Sequence, residues 1–274
     1  MYQKPTVPRS IGGVLDDTFQ LYKASFSSCW QPMLIMSLIA AGSGFYRFSA
    51  IPAAAPGAGL RDLLLQFQTT PRGYQAVSVV VMLVDLVLYS VLLLNIVAVS
   101  GGLTPSLGAS LAAALRRAPA LIVATIIFFI AAFIGFCLLL VPGIYLLNRL
   151  QLYVVPLVTQ SQGPVESLGT SWNLVRGHWW RTATLLFVMI AIMYVLNLAL
   201  VALAGAIVAV VGGGAATLIQ GAGSFVLGSL ILSAILGIFT TPLIVTVFVT
   251  VYQDLVLRKS GGDLEARLGA LPQG

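Results

Sequence analysis

The sequence predicts an all-α polytopic membrane helical bundle of about six transmembrane helices, and three observations carry that reading. Charged residues make up 8% of the 274 positions and hydrophobic residues 59%, whereas a soluble domain draws on about a quarter charged residues. The charges are also clustered, because 24–46, 86–115, 118–148 and 182–253 hold no Asp, Glu, Lys or Arg. Each gap exceeds the ~20 residues that cross about 30 Å of hydrocarbon. Finally, the apolar stretches are continuous where a strand barrel would alternate polar and apolar. Helices satisfy their own backbone groups in lipid, so helices are the expected spans.

The N-terminal 1–24 is polar and amphipathic, without the apolar run and small-residue cleavage site of a secretory signal, so the first span is expected to stay in the mature protein. That span is read near 30–48 and the second near 74–99, separated by a loop rich in Ala, Pro and Gly with a short surface helix over 60–67. The third runs over 120–140 and is expected to end at Val141-Pro142-Gly143, where proline lacks a donor and glycine permits a turn. A short fourth follows over 144–159. The fifth, over 183–211, stops at Gly212-Gly213-Gly214, read as a flexible outer turn because no phosphate-loop lysine follows. The stretch 217–257 is about 60 Å long as a helix, twice one crossing. It is either one long helix kinked near Pro242 or two spans meeting at Thr240-Thr241-Pro242.

Charge asymmetry favours six spans over seven. With the N-terminus inside, Lys4, Arg9, Lys23, Arg116, Arg117, Arg176, Arg181, Arg258, Lys259 and Arg267 are cytoplasmic, and Arg47, Arg61 and Arg72 lie outside. A seventh span would carry the last three cytoplasmic cations outward, against the tendency of Lys and Arg to stay inside. Trp30, Trp172, Trp179 and Trp180 then all fall at the cytoplasmic interface, where the amphipathic indole is favoured.

Three segments before spans one, three and five are alike: Ser10-Ile11-Gly12-Gly13-Val14-Leu15, Ser106-Leu107-Gly108-Ala109-Ser110-Leu111 and Ser167-Leu168-Gly169-Thr170-Ser171-Trp172. In the first, Ile11, Val14, Leu15, Thr18, Phe19, Tyr22 and Phe26 follow helical spacing, the pattern of a helix lying in the interface plane. The second is expected to start with Thr104 as N-cap and Pro105 at the first helical position. The third is expected to start with Pro164 in that position and Glu166 in the first turn. One membrane domain over 1–274 is therefore read as an interfacial helix (1–29), a hairpin (30–103), two further units of interfacial helix plus hairpin (104–162 and 163–257) and a tail (258–274).

Several of these motifs resemble the bacterial membrane proteins grouped with the membrane domain of glycerophosphodiester phosphodiesterases. They are Ile11-Gly12 through Asp16-Asp17, Val141-Pro142-Gly143-Ile144-Tyr145 with Arg149, Gly163-Pro164 through Ser171-Trp172 to Arg176-Gly177-His178-Trp179-Trp180, and Tyr252 with Asp254 and Arg258-Lys259. The resemblance implies a multi-span protein of the bacterial cytoplasmic (inner) membrane, in a group mostly without an assigned role. It does not imply diesterase activity, because the catalytic barrel of those enzymes is a separate domain. The tail departs from the pattern, with Gln253 where a second tyrosine often stands and Val256 before Leu257.

Enzyme signatures are nearly absent. His178, the single histidine, stands between Gly177 and Trp179 and is read as a headgroup or helix-end contact rather than a general base. No Cys/His spacing suits a metal, and no cofactor is expected. Cys29 and Cys137 are expected to be reduced and structural. Asp85 and Arg149 are charges inside spans, where an unpaired charge costs about 2.5–3.5 kcal/mol on insertion scales. They are expected to approach each other as an intramembrane polar centre with Asn95, Asn148, Gln151 and Asn197. The Asp254 and Arg258-Lys259 group is expected to be a solvated helix end. The basic rim, with Arg116, Arg117, Arg176 and Arg181, meets anionic lipid headgroups without any need for nucleic acid. These features favour a non-enzymatic scaffold or accessory factor that engages lipid or another membrane protein; the alternative is a small-solute or proton-coupled transporter built around Asp85 and Arg149.

Overall fold

A computed structural model describes residues 2, 4–50, 59, 61, 71–211 and 222–269, and no strand occurs among the described residues. The helices are α1 (Ile11–Ala50), α2 (Arg72–Ser100), α3 (Leu107–Leu138), α4 (Leu140–Leu150), a 3-10 turn (Gln151–Tyr153), α5 (Val154–Thr159), α6 (Pro164–Val175), α7 (Trp179–Val211) and α8 (Ala222–Gly269). Of the surface helix expected over 60–67 only Arg61 is described, in helical conformation; Gly212-Gly213-Gly214 and the last five residues lie outside the described residues.

Ser10 opens α1 as its hydroxyl accepts from the Gly13 amide at 3.2 Å, which satisfies one of the orphan donors of a helix start. The expected division between an interfacial helix and the first span is absent: α1 runs without interruption for 40 residues, with Pro32 inside it. No glycine or proline interrupts the chain between Gly13 and Pro32. Helix α3 likewise passes continuously through Pro119. It starts two residues later than Thr104-Pro105 predicts, because Ser106 is extended at φ −110° and ψ 122° and becomes the N-cap. The third leading helix matches its expectation. Pro164 opens α6, and the Glu166 carboxylate accepts from the Gly163 amide at 3.2 Å. Helix α6 is also set apart from α7, because Arg176 turns extended and Gly177 takes φ +89°, a conformation that glycine alone adopts without strain.

The break between α3 and α4 falls at Leu139, which is extended at φ −172°, and not at Val141-Pro142-Gly143. Pro142 instead occupies the first turn of α4, where a missing donor leaves no helical bond unmade. Close contact between the two helices explains the glycines: a Cβ on Gly135 would lie 2.9 Å from the Gly143 Cα, and one on Gly143 would lie 2.6 Å from the Phe136 ring. Lipid offers little hydrophobic drive for helix association, so such close approach is a main source of cohesion.

Among the described residues, six segments are long and apolar enough to cross a membrane: Ile11–Arg47, Arg72–Ser100, Leu107–Leu138, Leu140–Thr159, Trp179–Leu203 and Leu230–Gly261. The chain is thus an all-α polytopic membrane protein. The fourth differs in kind, with 56% of its apolar window buried against 22–33% elsewhere. Its 3-10 turn breaks the helix where Leu152 through Val158 are all buried, so protein rather than lipid surrounds it. Conversely, Phe187, Ile190 and Tyr194 on one face of α7, and Phe129 and Phe133 on α3, are exposed and read as lipid-facing. Of the stretch 217–257, the described part from Ala222 onward is one continuous helix: α8 passes through Pro242 unbroken, with Thr240 and Thr246 hydroxyls bonded to Leu236 and Pro242 carbonyls.

By contacts the chain forms two compact units, 1–30 with 86–192 and 241–274, and 31–85 with 193–240. In the first, α3 packs on α4, α5 and α6, the Thr18 and Thr250 hydroxyls meet at 2.7 Å between α1 and α8, and Leu21, Leu92, Leu121, Leu157 and Leu255 are fully buried. In the second, the Ser37 hydroxyl on α1 donates to the Ala234 carbonyl on α8 at 2.6 Å, and Tyr46 stacks on Tyr74. Both cysteines are free, Cys29 buried and Cys137 exposed.

The glycine contact predicts an asymmetric mutational response. Gly135→Ala forces the α4 backbone to shift and should destabilise by about 1–3 kcal/mol. Gly169→Ala meets open space on α6 and should gain about 0.5–1 kcal/mol of helix propensity. Thermal unfolding in detergent reads both, and equal effects would remove the packing argument.

Candidate functional site

The densest charge cluster among the described residues of the first unit is centred on Asp254, inside the second half of α8. Its carboxylate is buried, with 4% of the residue exposed. One oxygen accepts from the Arg9 amide at 3.1 Å; the other accepts from Arg181 Nε and Arg258 Nε, both at 3.0 Å. Both arginines also donate to the Arg9 carbonyl, at 2.7 and 2.6 Å. Arg9 in turn pairs with Asp17 at 3.6 Å. The expected solvated helix end is therefore corrected. A carboxylate held in apolar surroundings needs several donors, and it collects them from the N-terminal segment, the start of α7 and its own helix. Lys259 is the exposed member, donating to the Asn173 carbonyl.

The residues predicted as a polar centre each have their own surroundings within their units. Asn95 is buried, donating to the Ser28 carbonyl at 3.4 Å and accepting from Ser110 Oγ at 2.6 Å. Asn148 donates to the Trp179 carbonyl at 3.1 Å and accepts from Gln151 at 2.9 Å. Asn197, in the second unit, turns back on its own helix, to the Met193 carbonyl. Asp85 also belongs to the second unit, and its Oδ1 is buried without a hydrogen-bond partner. Arg149 belongs to the first unit, and its guanidinium carbon lies 4.3 Å from the Trp172 ring centre and 4.8 Å from that of Tyr145. The sequence places Arg149 a few residues from the outer membrane face. Its ring partners Trp172 and Tyr145, with Trp179 stacked on Tyr145, instead place it beside α6 and the start of α7.

At the predicted cytoplasmic rim, Trp30 and Trp180 are exposed, at 52% and 79%. Trp180 packs edge-on against Trp179 at 4.8 Å. Arg116 and Arg176 are exposed, whereas Arg117 is drawn inward by the Leu157 carbonyl at 3.1 Å and the Ser161 hydroxyl. His178 caps the turn into α7 as its carbonyl accepts from Thr182, and its Nδ1 is buried without a partner. An open cleft of about 620 Å³ lies in the same unit, lined by Tyr2, Gln20, Lys23, Ser28, Thr104 and Pro105 among others. Burial pushes the Tyr2 phenol up to about 12, with the Asp17 carboxylate adding to the effect.

Sequence reasoning missed Arg9 and Tyr145. Arg9 acts mainly through its backbone, for which no side-chain pattern exists. Tyr145 stands four residues before Arg149, the spacing that brings side chains together on a helix, so that signal was present.

A helical bundle with six apolar spans among the described residues defines an all-α polytopic membrane protein. Residues 29–255, more than four fifths of the chain, match the model of a domain of unknown function, DUF7847, and the chain belongs to that family. No curated protein and no solved structure matches it.

Replacing Asp254 strands two guanidinium groups and the Arg9 amide. Asp254→Ala should therefore cost about 3 kcal/mol, the range for breaking a buried ion pair. The loss should appear as a lower unfolding temperature together with faster proteolysis near residue 9. An unfolding temperature and cleavage rate equal to those of the parent chain would show the cluster to be solvated.

Proposed function

We propose that this protein is a non-enzymatic scaffold or accessory factor of a bacterial cytoplasmic membrane, engaging anionic lipid or another membrane protein through its inner face. The observation that carries this reading is the gathering in one unit of exposed tryptophans, Trp30 and Trp180, with exposed Arg116 and Arg176. Indole rings favour the headgroup level, and basic residues beside them are attracted to anionic lipid by about 1 kcal/mol each. The open cleft beside Lys23 supports the same reading, with mixed lining and a volume in the range of ligand sites. The orientation follows from the excess of Lys and Arg on that face, with both termini cytoplasmic. The resemblance to the membrane domain of glycerophosphodiester phosphodiesterases agrees with a bacterial membrane setting and adds no reaction. The three leading segments are kept as a repeat with their differences: only the third is a separate helix.

A transporter is the second reading, favoured by one observation. Asp85 carries a buried carboxylate oxygen without a partner inside a candidate span, and intramembrane carboxylates commonly mark solute or proton paths.

Purification in native lipid followed by mass spectrometry separates the two. The scaffold reading expects anionic lipid or a membrane protein retained near stoichiometrically; recovery of the chain with neither counts against it. The transporter reading expects proton or solute flux in vesicles that Asp85→Asn abolishes, and flux indifferent to that change removes Asp85 from any path.

A further inference from the structure

We propose that Arg149, Trp179 and His178 form a binding site for a phosphate group of the kind an anionic phospholipid headgroup carries. A guanidinium has five N–H donors and keeps its charge at any physiological pH. In Arg117, Arg181 and Arg258 those donors meet carbonyl, hydroxyl or carboxylate oxygens. Among the described residues the Arg149 side chain meets none, and its Nε is buried without a partner. Its contacts are the faces of Trp172 and Tyr145. Ring faces attract the cation and orient its plane, yet they accept none of its in-plane hydrogen bonds.

Two more unpartnered groups follow along the aromatic stack that begins at Tyr145. Trp179 Nε1 and His178 Nδ1 are both buried without an acceptor. The Tyr145 ring, against which Arg149 lies, stacks on Trp179 at 5.8 Å, and Asn148 bonds the Trp179 carbonyl. The indole N–H donates only, and His178 Nδ1 donates in the tautomer that carries its proton there. A positive charge with several donors and no acceptor calls for an anion with several acceptor oxygens. Phosphate meets that need and matches the planar donor fork of arginine. The tryptophans place the site at the level of lipid headgroups, with Trp180 exposed on its outer side. An aromatic support around the arginine makes the site preorganised, so binding needs little rearrangement.

The lipid source rests on the reading of this chain as a lipid-engaging protein; the phosphate site itself does not. The test uses the full chain in detergent, with phosphatidylglycerol and phosphatidylcholine titrated in parallel and followed by native mass spectrometry and unfolding temperature. Inorganic phosphate is a third arm, matched in ionic strength with chloride. The parent chain should retain phosphatidylglycerol about tenfold better than phosphatidylcholine, a difference of about 1.4 kcal/mol. Arg149→Gln should lose most of that preference. Trp179→Phe keeps the stacked ring and removes only the N–H, so it should fold as the parent does and bind severalfold more weakly. Tyr194→Phe, on the second unit, should bind as the parent chain does.

Folded Arg149→Gln or Trp179→Phe chains that hold phosphatidylglycerol and phosphate as tightly as the parent overturn the site, while lipid retention itself would leave the lipid-engaging reading standing. Saturable phosphate binding lost in both variants, with no lipid preference in the parent, supports the site and removes the lipid source. No binding in any arm overturns the site and the lipid reading together.

Discussion

One carboxylate organises the first unit. Asp254 takes donors from the Arg9 amide, Arg181 and Arg258, and the two guanidinium groups close onto the Arg9 carbonyl as well. The described residues 4–9 form no helix or strand, so these bonds hold the backbone at Arg9 in place. A buried charge is costly unless its lone pairs are all engaged. That requirement ties the three segments together, because donors from each converge on the same two oxygens.

Arg149 meets the same physical problem by another route. It has no carboxylate among the described residues and lies instead against Trp172 and Tyr145. Quadrupolar attraction from the rings offsets part of the cost of removing the cation from water, and leaves its hydrogen-bonding edge uncommitted. A cation used purely for cohesion is better served by the pattern at Asp254. The difference between the two arginine environments separates a structural tie from a group available for binding.

Elsewhere cohesion comes from small contacts between long helices. Thr18 with Thr250 and Ser37 with Ala234 bond between helices within their own units, each contributing on the order of 0.6 kcal/mol in a bilayer. Gly135 and Gly143 let α3 and α4 approach until backbone meets side chain and backbone. The fourth apolar segment, broken by a 3-10 turn and buried along 152–158, forms part of this core. Its irregular backbone lies where protein surrounds it, as the absence of water in lipid requires.

The all-helical fold and its six apolar spans were legible in the sequence, because charge-free length and composition respond directly to the solvent each segment meets. The start of α6 was legible too, since Pro164 and Glu166 act within a single turn. What sequence could not reach was whether a local breaker ends a helix. Pro32, Pro119 and Pro242 all lie inside continuous helices, and the break after α3 falls at Leu139; neighbouring contacts outweigh one missing donor. Nor could it assign partners. Asp254 is bonded rather than solvated because groups 73 and 245 positions away in the chain reach it only after the helices pack, and the Trp172 ring that Arg149 faces stands on a different helix. Composition determines the medium in which each segment lies, and tertiary packing decides which charge meets which acceptor.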